Sequence, residues 1–496
     1  MNNYFLNYKE NEIMQFFQYC YMNKKEYYPK KNIQEVLGIS EYRYKTIAHS
    51  VEEINAEYPT FQFHYDKHGL SIHFTNEFLL LKVYILLFKK TVGYKFLLSI
   101  YKEEFQNLDH FSASVHLHPQ SVLPKLKPVR TLLKNHSLEY LLFKKKINGD
   151  EYRVRQFFFE LFWHLHDEED PIIPEYPESF QALTTMLNEY LPMYSREDTR
   201  KLYLFMKITQ QRLKNGHHIS NLPDVIKEIK NPLITFKTFQ QQIQSKEIST
   251  RFFQKRLSDD EVVFLYYAFA IVPTYMYQGQ QDFPAFRDFY TDEYKIIEHS
   301  ILETLFQQTK RQLTTQQQNF ISLNIISRIT YFLSFGSIDY VVPYSDLEYF
   351  YIRDPIRDHY FKLVDNIISQ IPLKDEKWRR IFDSRPFRFS LFQLLIWVFD
   401  EHHDPVKVAI LTKFGRIHKA SLVRRLENIN PRPIEVVDYD QEPEIIFCDF
   451  PLKEGREINP NAEIFFIGVQ PPPNQWVEMV DLIDTVRTKK QFSYLL

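Results

Sequence analysis

The chain has 496 residues, of which 44% are hydrophobic and 25% are charged, and its formal net charge is −2. This length predicts several domains, and this composition is typical of a globular chain and argues against a disordered one. Ten glycines argue against Gly-rich phosphate loops, and two distant cysteines without a CxxC pattern are typical of a reducing cytoplasm.

Neither a signal peptide nor a membrane span is expected. The start "MNNYFLNYKENE" lacks a basic segment followed by an apolar one, and the runs "FLLLKVYILLF" and "FSLFQLLIWVF" are about half a span in length. Charge is uneven, because residues 1–166 hold 22 Lys and Arg against 17 Asp and Glu, whereas the remainder is acidic. A polyanionic partner is therefore expected at the N-terminal third.

The first predicted domain, residues 1–75, is a winged helix-turn-helix unit. A short helix ends at the turn residue Gly38, and Ser40 is a good N-cap for a second helix. The segment "FQFHYDKHGLSIHF" alternates apolar and polar residues and predicts a hairpin, the wing. The candidate DNA-binding residues of the second helix and the wing are Tyr42, Arg43, Lys45, Thr46 and Lys67.

The second predicted domain, residues 76–166, repeats this plan. After a short helix, His118 and Pro119 mark the turn and the first position of a basic helix from Gln120 to Lys134. The segment "INGDE" predicts the turn of a following hairpin. The candidate DNA-binding residues of this helix and its wing are Gln120, Ser121, Lys125, Lys127, Arg130, Lys144, Lys145 and Lys146.

Residues 171–402 predict helices almost throughout and contain a weak internal repeat. The segment "LYLFMKITQQRLKNGHHISNL" resembles "FISLNIISRITYFLSFGSIDYVV", with the arginines of the two segments aligned. We therefore predict two helical-bundle domains, residues 167–285 and 286–402.

Residues 403–496 predict a small α/β domain. The strand-like segments "PVKVAIL", "PIEVVDY", "PEIIFCDF" and "AEIFFIGV" alternate with helices and short loops, which predicts a largely parallel four-stranded sheet. The chain as a whole is thus predicted to be a mainly α multidomain protein with an α/β domain at its end.

This domain order resembles that of the Mga family of transcription regulators, which are relatives of AtxA. The segments that carry the resemblance are "SVLPKLKPVRTLLK", "INGDEYRVRQFFFELFW", "QQRLKNGHHI" and "VKVAILTKFGRIHKASLVRRL". The resemblance implies that the two bundles are regulation domains phosphorylated on histidine by the phosphotransferase system. It also implies that the last domain resembles enzyme IIB and forms a dimerisation surface.

Three features depart from the pattern of that family. Pro124 lies where its members more often carry a polar or basic recognition residue, and a proline at this position kinks a helix. Phe205 and Ala268 stand where ordinary regulation domains carry histidines. Thr412 replaces the cysteine of an active enzyme IIB, which predicts a domain that does not relay phosphate.

Histidines are the expected sites of phosphate control. His217 and His218 follow Gly216, a predicted helix C-cap, and the nearby Arg212 could supply counter-charge to a phosphate. The candidate phosphorylation sites in the two bundles are His217, His218, His299 and His359.

Neither a metal site nor a catalytic site is predicted. The histidines that could be combined into a metal site lack a third ligand at a recognisable spacing; they are His116, His118, His164 and His166. The chain contains no P-loop, GxGxxG, HExxH or GxSxG motif, so we expect no cofactor and no enzymatic activity.

We predict a cytoplasmic DNA-binding transcription regulator, an activator of virulence or carbohydrate-responsive genes. It would bind double-stranded promoter DNA as a homodimer or a higher oligomer, and its other expected partners are phosphotransferase-system phosphocarrier proteins and RNA polymerase. One alternative is an RNA-binding antiterminator, although such proteins begin with a β-rich RNA-binding module. Another is a DNA-binding scaffold without phosphate control, which the missing regulation-domain histidines favour.

Overall fold

Helices make up most of the chain that the computed structural model describes, and the strands there form three small sheets. The described residues are 6–23, 25–165, 178, 180–181, 196–227, 234–271, 292–309, 313–335, 355–371, 376–400, 405–430, 434–450 and 461–492.

The helices and strands follow one another in distinct groups. The helices are Tyr8–Asn23 (α1), Lys30–Leu37 (α2), Glu41–Glu57 (α3), Leu80–Lys90 (α4), Val92–Tyr101 (α5), Leu108–Ser114 (α6), Pro119–Lys125 (α7), Lys127–Asn135 (α8), Glu151–His164 (α9), Arg196–Lys214 (α10), Asp224–Lys227 (α11), Phe236–Ile243 (α12), Asp259–Ile271 (α13), Asp292–Thr309 (α14), Thr315–Phe335 (α15), Pro355–Gln370 (α16), Glu376–Phe382 (α17), Arg385–Asp400 (α18), Gly415–Ile429 (α19) and Pro473–Phe492 (α20). A π-helical turn, Lys246–Phe252, precedes α13. The strands are Tyr28–Pro29 (β1), Phe61–Tyr65 (β2), Gly69–Phe74 (β3), Glu139–Leu141 (β4), Lys146–Asn148 (β5), Val406–Leu411 (β6), Ile434–Val436 (β7), Ile445–Cys448 (β8) and Glu463–Phe466 (β9).

Elements α1 to α3 and β1 to β3 form the first unit, which contains the predicted helix, turn, helix and hairpin. Gly38 follows α2 with a φ of 63°, a left-handed conformation that glycine adopts at little cost. The Ser40 side chain accepts a hydrogen bond from the Arg43 N–H and thereby caps α3. Strands β2 and β3 form an antiparallel hairpin, and β1 pairs with the free edge of β3.

The inner face of α3 fixes which of its residues point outward. Ile47, Val51 and Ile54 recur at helical spacing and are almost completely buried. Burial of such a side chain contributes about 1.5–3 kcal/mol each, so a rotation of α3 that exposed this face would be costly. His49, Glu52 and Glu53, which lie between them in sequence, therefore face solvent.

Elements α4 to α9 and the β4–β5 hairpin form the second unit. Helix α9 is buried on nearly all sides, as is typical of a central helix, and packs against α10 of the following helical region. A single apolar core extends from Leu6 in the first unit to Leu395 in α18. The first unit is therefore packed against the second through α1 and α4, and the second is packed against the helical region through α9 and α10.

The C-terminal sheet has the strand order β7-β6-β8-β9, and each pair of neighbours is parallel. The prediction of a small parallel sheet at this end is confirmed. Its core is separate from the main one: β6 and β8 pack their apolar side chains against Leu422 and Leu426 of α19 and against Trp476 and Met479 of α20. None of the helices in the described ranges is long and apolar enough to span a membrane.

Candidate nucleic-acid interface

The outer face of α3 in the first unit is more acidic than basic. Residues 41–57 hold four glutamates against Arg43 and Lys45. Its exposed side chains, called the α3 face below, are Glu41, Tyr42, Lys45, His49, Glu52, Glu53 and Glu57. Lys45 also lies 3.8 Å from Glu41, and the Thr46 hydroxyl donates to the Tyr42 carbonyl. The C-terminal half of this face would meet DNA phosphates with like charge.

Arg43, a candidate DNA-binding residue, contacts α1 instead of extending freely from α3. Its Nη1 lies 2.6 Å from Oε1 of the nearly buried Glu12, and its guanidinium lies 4.1 Å from the centre of the Tyr8 ring. This ion pair and cation–π contact position α1 against α3. A contact between Arg43 and DNA stays a prediction.

The wing of the first unit carries one exposed cation at its turn. Asp66 accepts hydrogen bonds from the N–H groups of His68 and Gly69, and these bonds lower the pKa of its carboxyl group. Lys67, between Asp66 and His68 in sequence, is exposed. The carboxylate beside Lys67 offsets its charge, so the turn presents little net charge.

In the second unit, the predicted single helix from Gln120 to Lys134 is wrong. The structure has two helices, α7 and α8, separated at Leu126. Pro128 has no N–H to donate to the carbonyl of Pro124, and its ring crowds that carbonyl, so the helix is interrupted there. Pro128 instead occupies the first turn of α8, where proline is tolerated.

Despite this break, both α7 and α8 carry exposed polar side chains. Six of them, called the α7–α8 face below, are Gln120, Ser121, Lys125, Lys127, Arg130 and Lys134. In the described part of the chain, none of the four cations takes part in an ion pair. The stretch 119–135 contains no acidic residue, so these two helices contribute four positive charges and no negative one. This face is well suited to phosphate contacts.

The hairpin of the second unit turns earlier in the chain than predicted. Tyr140 pairs with Ile147 and Leu141 with Lys146, so the loop is residues 142–145, and "INGDE" instead joins β5 to α9. Lys145 adopts a φ of 51°, which lets the chain reverse there. Lys144, Lys145 and Lys146 are all exposed at the tip. The hairpin follows α8 directly, and β4 packs against α8.

In the comparison with protein families, one family model matches the second unit. Residues 76–162 match the Mga helix-turn-helix domain. This match supports a relationship of the chain to the Mga family and suggests that it is a DNA-binding transcription regulator. No curated protein matches the chain. Residues 76–162 are called the Mga-like unit below.

One buried histidine supports α8 of the Mga-like unit from behind. His136 follows the last turn of α8, is only 3% exposed and packs edge-on against Phe157 of α9. Burial lowers its pKa to about 4, with a smaller opposing effect of Glu160. His136 is therefore neutral at physiological pH and adds no charge behind α8.

A cluster of charged side chains joins the Mga-like unit to α10 and α13 of the following helical region, where the first bundle is predicted. Nη1 of Arg155, which is completely buried, lies 2.5 Å from Glu261 Oε2, and its Nε lies 3.1 Å from Glu151 Oε1. Arg212 donates to both carboxylate oxygens of Glu151, from Nη2 to Oε2 at 2.8 Å and from Nε to Oε1 at 2.9 Å. This group, called the Arg155 cluster below, comprises Glu103, Glu151, Arg155, Arg212, His217 and Glu261.

Charge compensation is the reason that four members of the cluster can be buried together: Glu151, Arg155, Arg212 and Glu261. Burial alone would raise the pKa of Glu151, but the Arg212 and Arg155 guanidinium groups outweigh it and hold the pKa below its usual value. Glu261 also accepts a hydrogen bond from the Ile219 N–H. Since removing one partner of such a pair leaves an uncompensated buried charge, the cluster fixes the orientation of α9 against α10 and α13.

His217, a candidate phosphorylation site, belongs to this cluster. Its Nε2 lies 2.5 Å from Glu103 Oε1, and its carbonyl accepts a hydrogen bond from Arg155. Its side chain remains 36% exposed. Arg212 Nη1 lies 3.3 Å from the same Glu103 oxygen. A group attached to His217 would therefore act directly on the contact between the bundle and the Mga-like unit.

The other candidate histidines have no comparable setting. His218 is exposed, and His299 is exposed on α14 with Glu303 at 3.7 Å. The side chain of His359 and the whole of His166 lie outside the described residues. No cluster of three metal-ligating side chains occurs among the residues that are described.

Thr412 lies at the end of β6, where the loop to α19 begins. Its hydroxyl donates to Asp449 Oδ2 at 2.6 Å and accepts from the Phe414 N–H. Asp449 Oδ1 accepts the Lys413 N–H. The start of this loop is thus held by the carboxylate of Asp449, which follows β8.

Sequence reasoning did not single out Glu103, Arg155 or Glu261. Glu151 and Arg155 are four residues apart in α9, a spacing typical of a helical ion pair, but their partners lie in distant segments. An arginine in a run of aromatic residues, as in "VRQFFFELF", was the available signal for a buried charge.

Proposed function

We propose that this protein is a DNA-binding transcription regulator in which the Mga-like unit makes the main contact with double-stranded promoter DNA. The observation that carries this proposal is the α7–α8 face, with four exposed cations, beside the lysine-rich β4–β5 hairpin. Each lysine or arginine that reaches a phosphate releases counterions and adds to affinity. The first unit, with its acidic α3 face, would have a supporting role.

Phosphate control through His217 is the second part of the proposal. A phosphoryl group on His217 would add roughly two negative charges next to Glu103 and would compete with Glu103 for Arg212. The bridge between the first bundle and the Mga-like unit would weaken as a result, so the bundle would adjust how the DNA-binding unit is held. The phosphocarrier proteins of the phosphotransferase system are the proposed donors.

Oligomerisation and the role of the C-terminal domain complete the proposal. A dimer would bring two α7–α8 faces to one promoter and raise specific affinity over that of a single unit. Asp449, whose carboxylate accepts hydrogen bonds from the Thr412 hydroxyl and the Lys413 N–H, favours a domain that binds other protein surfaces over a phosphocarrier or an enzyme. Activation of transcription would then require a contact with RNA polymerase.

The first experiment is a salt series of full-chain binding to promoter-length duplex DNA and to an RNA hairpin. We expect a preference for the duplex and a logarithmic salt slope of about −4 or steeper, since the α7–α8 face alone offers four phosphate contacts at about 0.9 each. A preference for the hairpin would favour the antiterminator alternative. Weak, salt-independent binding to both would contradict the proposal.

Phosphate control is tested by comparing His217→Asp with His218→Asp in the full chain. His217→Asp places a negative charge beside Glu103, whereas His218 is exposed and provides a matched control. We expect faster amide hydrogen exchange in α9 and altered duplex affinity for His217→Asp alone. Equal behaviour of the two variants, or labelling by a phosphocarrier that persists in a His217→Ala, His218→Ala double variant, would contradict the choice of site.

A further inference from the structure

The tip of the β4–β5 hairpin holds an aromatic side chain entirely in solvent. Phe143 is 102% exposed, more than any other large hydrophobic residue in the described chain. Its neighbour Leu142 is partly buried against the main core, so an apolar environment is available one residue away. The loop therefore directs Phe143 outward.

The hairpin that carries Phe143 is anchored firmly at its base. Tyr140 in β4 packs edge-on against Phe96 and Phe105, with ring centres 5.3 and 5.5 Å apart. Leu138, just before β4, is buried, and a Cβ on Gly149, just after β5, would lie 2.5 Å from it. In the loop, the Lys144 N–H donates to the Leu141 carbonyl. An anchored base means that the tip is presented in a defined direction.

The charges around Phe143 indicate what it contacts. Lys144, Lys145 and Lys146 follow it directly, and among the residues described they form no ion pair. Three cations of the α7–α8 face, Lys127, Arg130 and Lys134, lie on α8, against which β4 packs. A second copy of this chain would bring the same positive charges and be repelled. A polyanion with an apolar interior matches this surface, and duplex DNA is such a ligand.

We infer that Phe143 is a wedge that enters the minor groove and partly separates two stacked base pairs, while the three lysines contact the flanking phosphates. Apolar side chains used in this way kink the duplex. Since pyrimidine–purine steps unstack most easily, Phe143 would also favour sites with a TA or CA/TG step at the position of the wing. This inference rests on the proposed DNA-binding function and adds a residue that reads the deformability of DNA.

The test compares the wild-type full chain with Phe143→Ala, Phe143→Leu and Lys145→Ala on an end-labelled duplex. Energy transfer between the ends reports the bend, and 2-aminopurine at a TA step reports unstacking. For Phe143→Ala we expect about tenfold weaker binding, an unchanged salt slope, loss of the bend and loss of the preference for TA over a stiff A-tract. Phe143→Leu should keep most of the bend. Lys145→Ala should keep the bend and lower the salt slope by about 0.9.

The outcomes separate this inference from the proposed function. Wild-type protein that binds the duplex with the same bend and step preference as Phe143→Ala would overturn the wedge and leave the DNA-binding proposal standing. Wild-type protein that does not bind duplex DNA would overturn both. A change in the sedimentation of Phe143→Ala without DNA would place Phe143 in a protein contact and would also overturn the wedge.

Discussion

The two helix-turn-helix units have the same order of helix, turn, helix and hairpin, but their surfaces differ in charge. On the first, the α3 face carries more glutamates than cations, and Arg43 is held by Glu12 of α1. On the second, the α7–α8 face carries four cations and no carboxylate. The comparison teaches that topology alone does not identify a DNA-binding unit. Both units have the helix-turn-helix and hairpin order, but only the second has a predominantly basic face.

The units also differ in how they connect to the rest of the chain. The first unit meets the second through apolar packing, in which Phe78 contacts Phe17 and Phe61, and through an exposed ion pair between Lys90 and Glu57 that contributes little to stability. The second unit also meets the following helical region through the buried charges of the Arg155 cluster. The proposed phosphate control would therefore act directly on the unit with the basic face.

The largest effect expected from this comparison is on stability. Arg155→Met would leave Glu261 buried without its main partner, and loss of one member of such a pair costs about 3–5 kcal/mol. The free energy of unfolding, measured by urea denaturation with amide hydrogen exchange of α9 and α13 as the local probe, should fall by about that amount. Arg153→Met, a partly exposed neighbour, is the control and should cost below about 1 kcal/mol. Equal losses would show that the cluster does not bind the two regions together.

The next effect is on DNA affinity and compares the two faces directly. The triple variant Lys125→Ala, Lys127→Ala, Arg130→Ala should weaken duplex binding about a hundredfold and lower the salt slope by about 3, because three phosphate contacts are lost. The matched variant Tyr42→Ala, Lys45→Ala, Lys67→Ala in the first unit should weaken it less than about fivefold. A larger loss from the first-unit variant would reverse the assignment of the main DNA-binding unit.

The smallest expected effect is a dependence on pH of the stability of the second unit. His136 has a pKa of about 4 in the folded chain and about 6.5 in the unfolded one, so the unfolded state binds more protons between these values. Stability of this unit is therefore unaffected by His136 above pH 6.5 and falls as pH decreases below it, by up to about 1.4 kcal/mol per pH unit. Hydrogen exchange of α8, corrected for intrinsic rates at pH 7 and pH 5, should show this loss, and His136→Leu should reduce it. An equal pH response in both proteins would exclude His136 as its source.

Much of the local structure could be predicted from the sequence because it depends on local signals. Gly38 and Ser40 determine the first turn through backbone conformation and capping, and His118 with Pro119 begin α7. The four strands of the C-terminal sheet followed from short apolar runs between loops. These features involve residues close together in the chain, so their physical causes are visible in its sequence.

The predictions that were wrong involved competing signals or distant partners. The apolar spacing across Leu126 favours one helix, but the missing N–H of Pro128 interrupts it. "INGDE" has the composition of a hairpin turn, yet pairing of Tyr140 with Ile147 moves the turn to residues 142–145. The Arg155 cluster combines side chains from separate helices, which no local pattern can indicate.

Helix α9 begins immediately after the hairpin, and this continuity has a mechanical consequence. Gly149 leaves no room for slack against Leu138, and Glu151, in the first turn of α9, already belongs to the Arg155 cluster. Only Gly149 and Asp150 therefore separate the hairpin from the helix that holds the cluster. Since Arg212 of α10 binds Glu151, we expect a rotation of α10 to displace the hairpin tip as well.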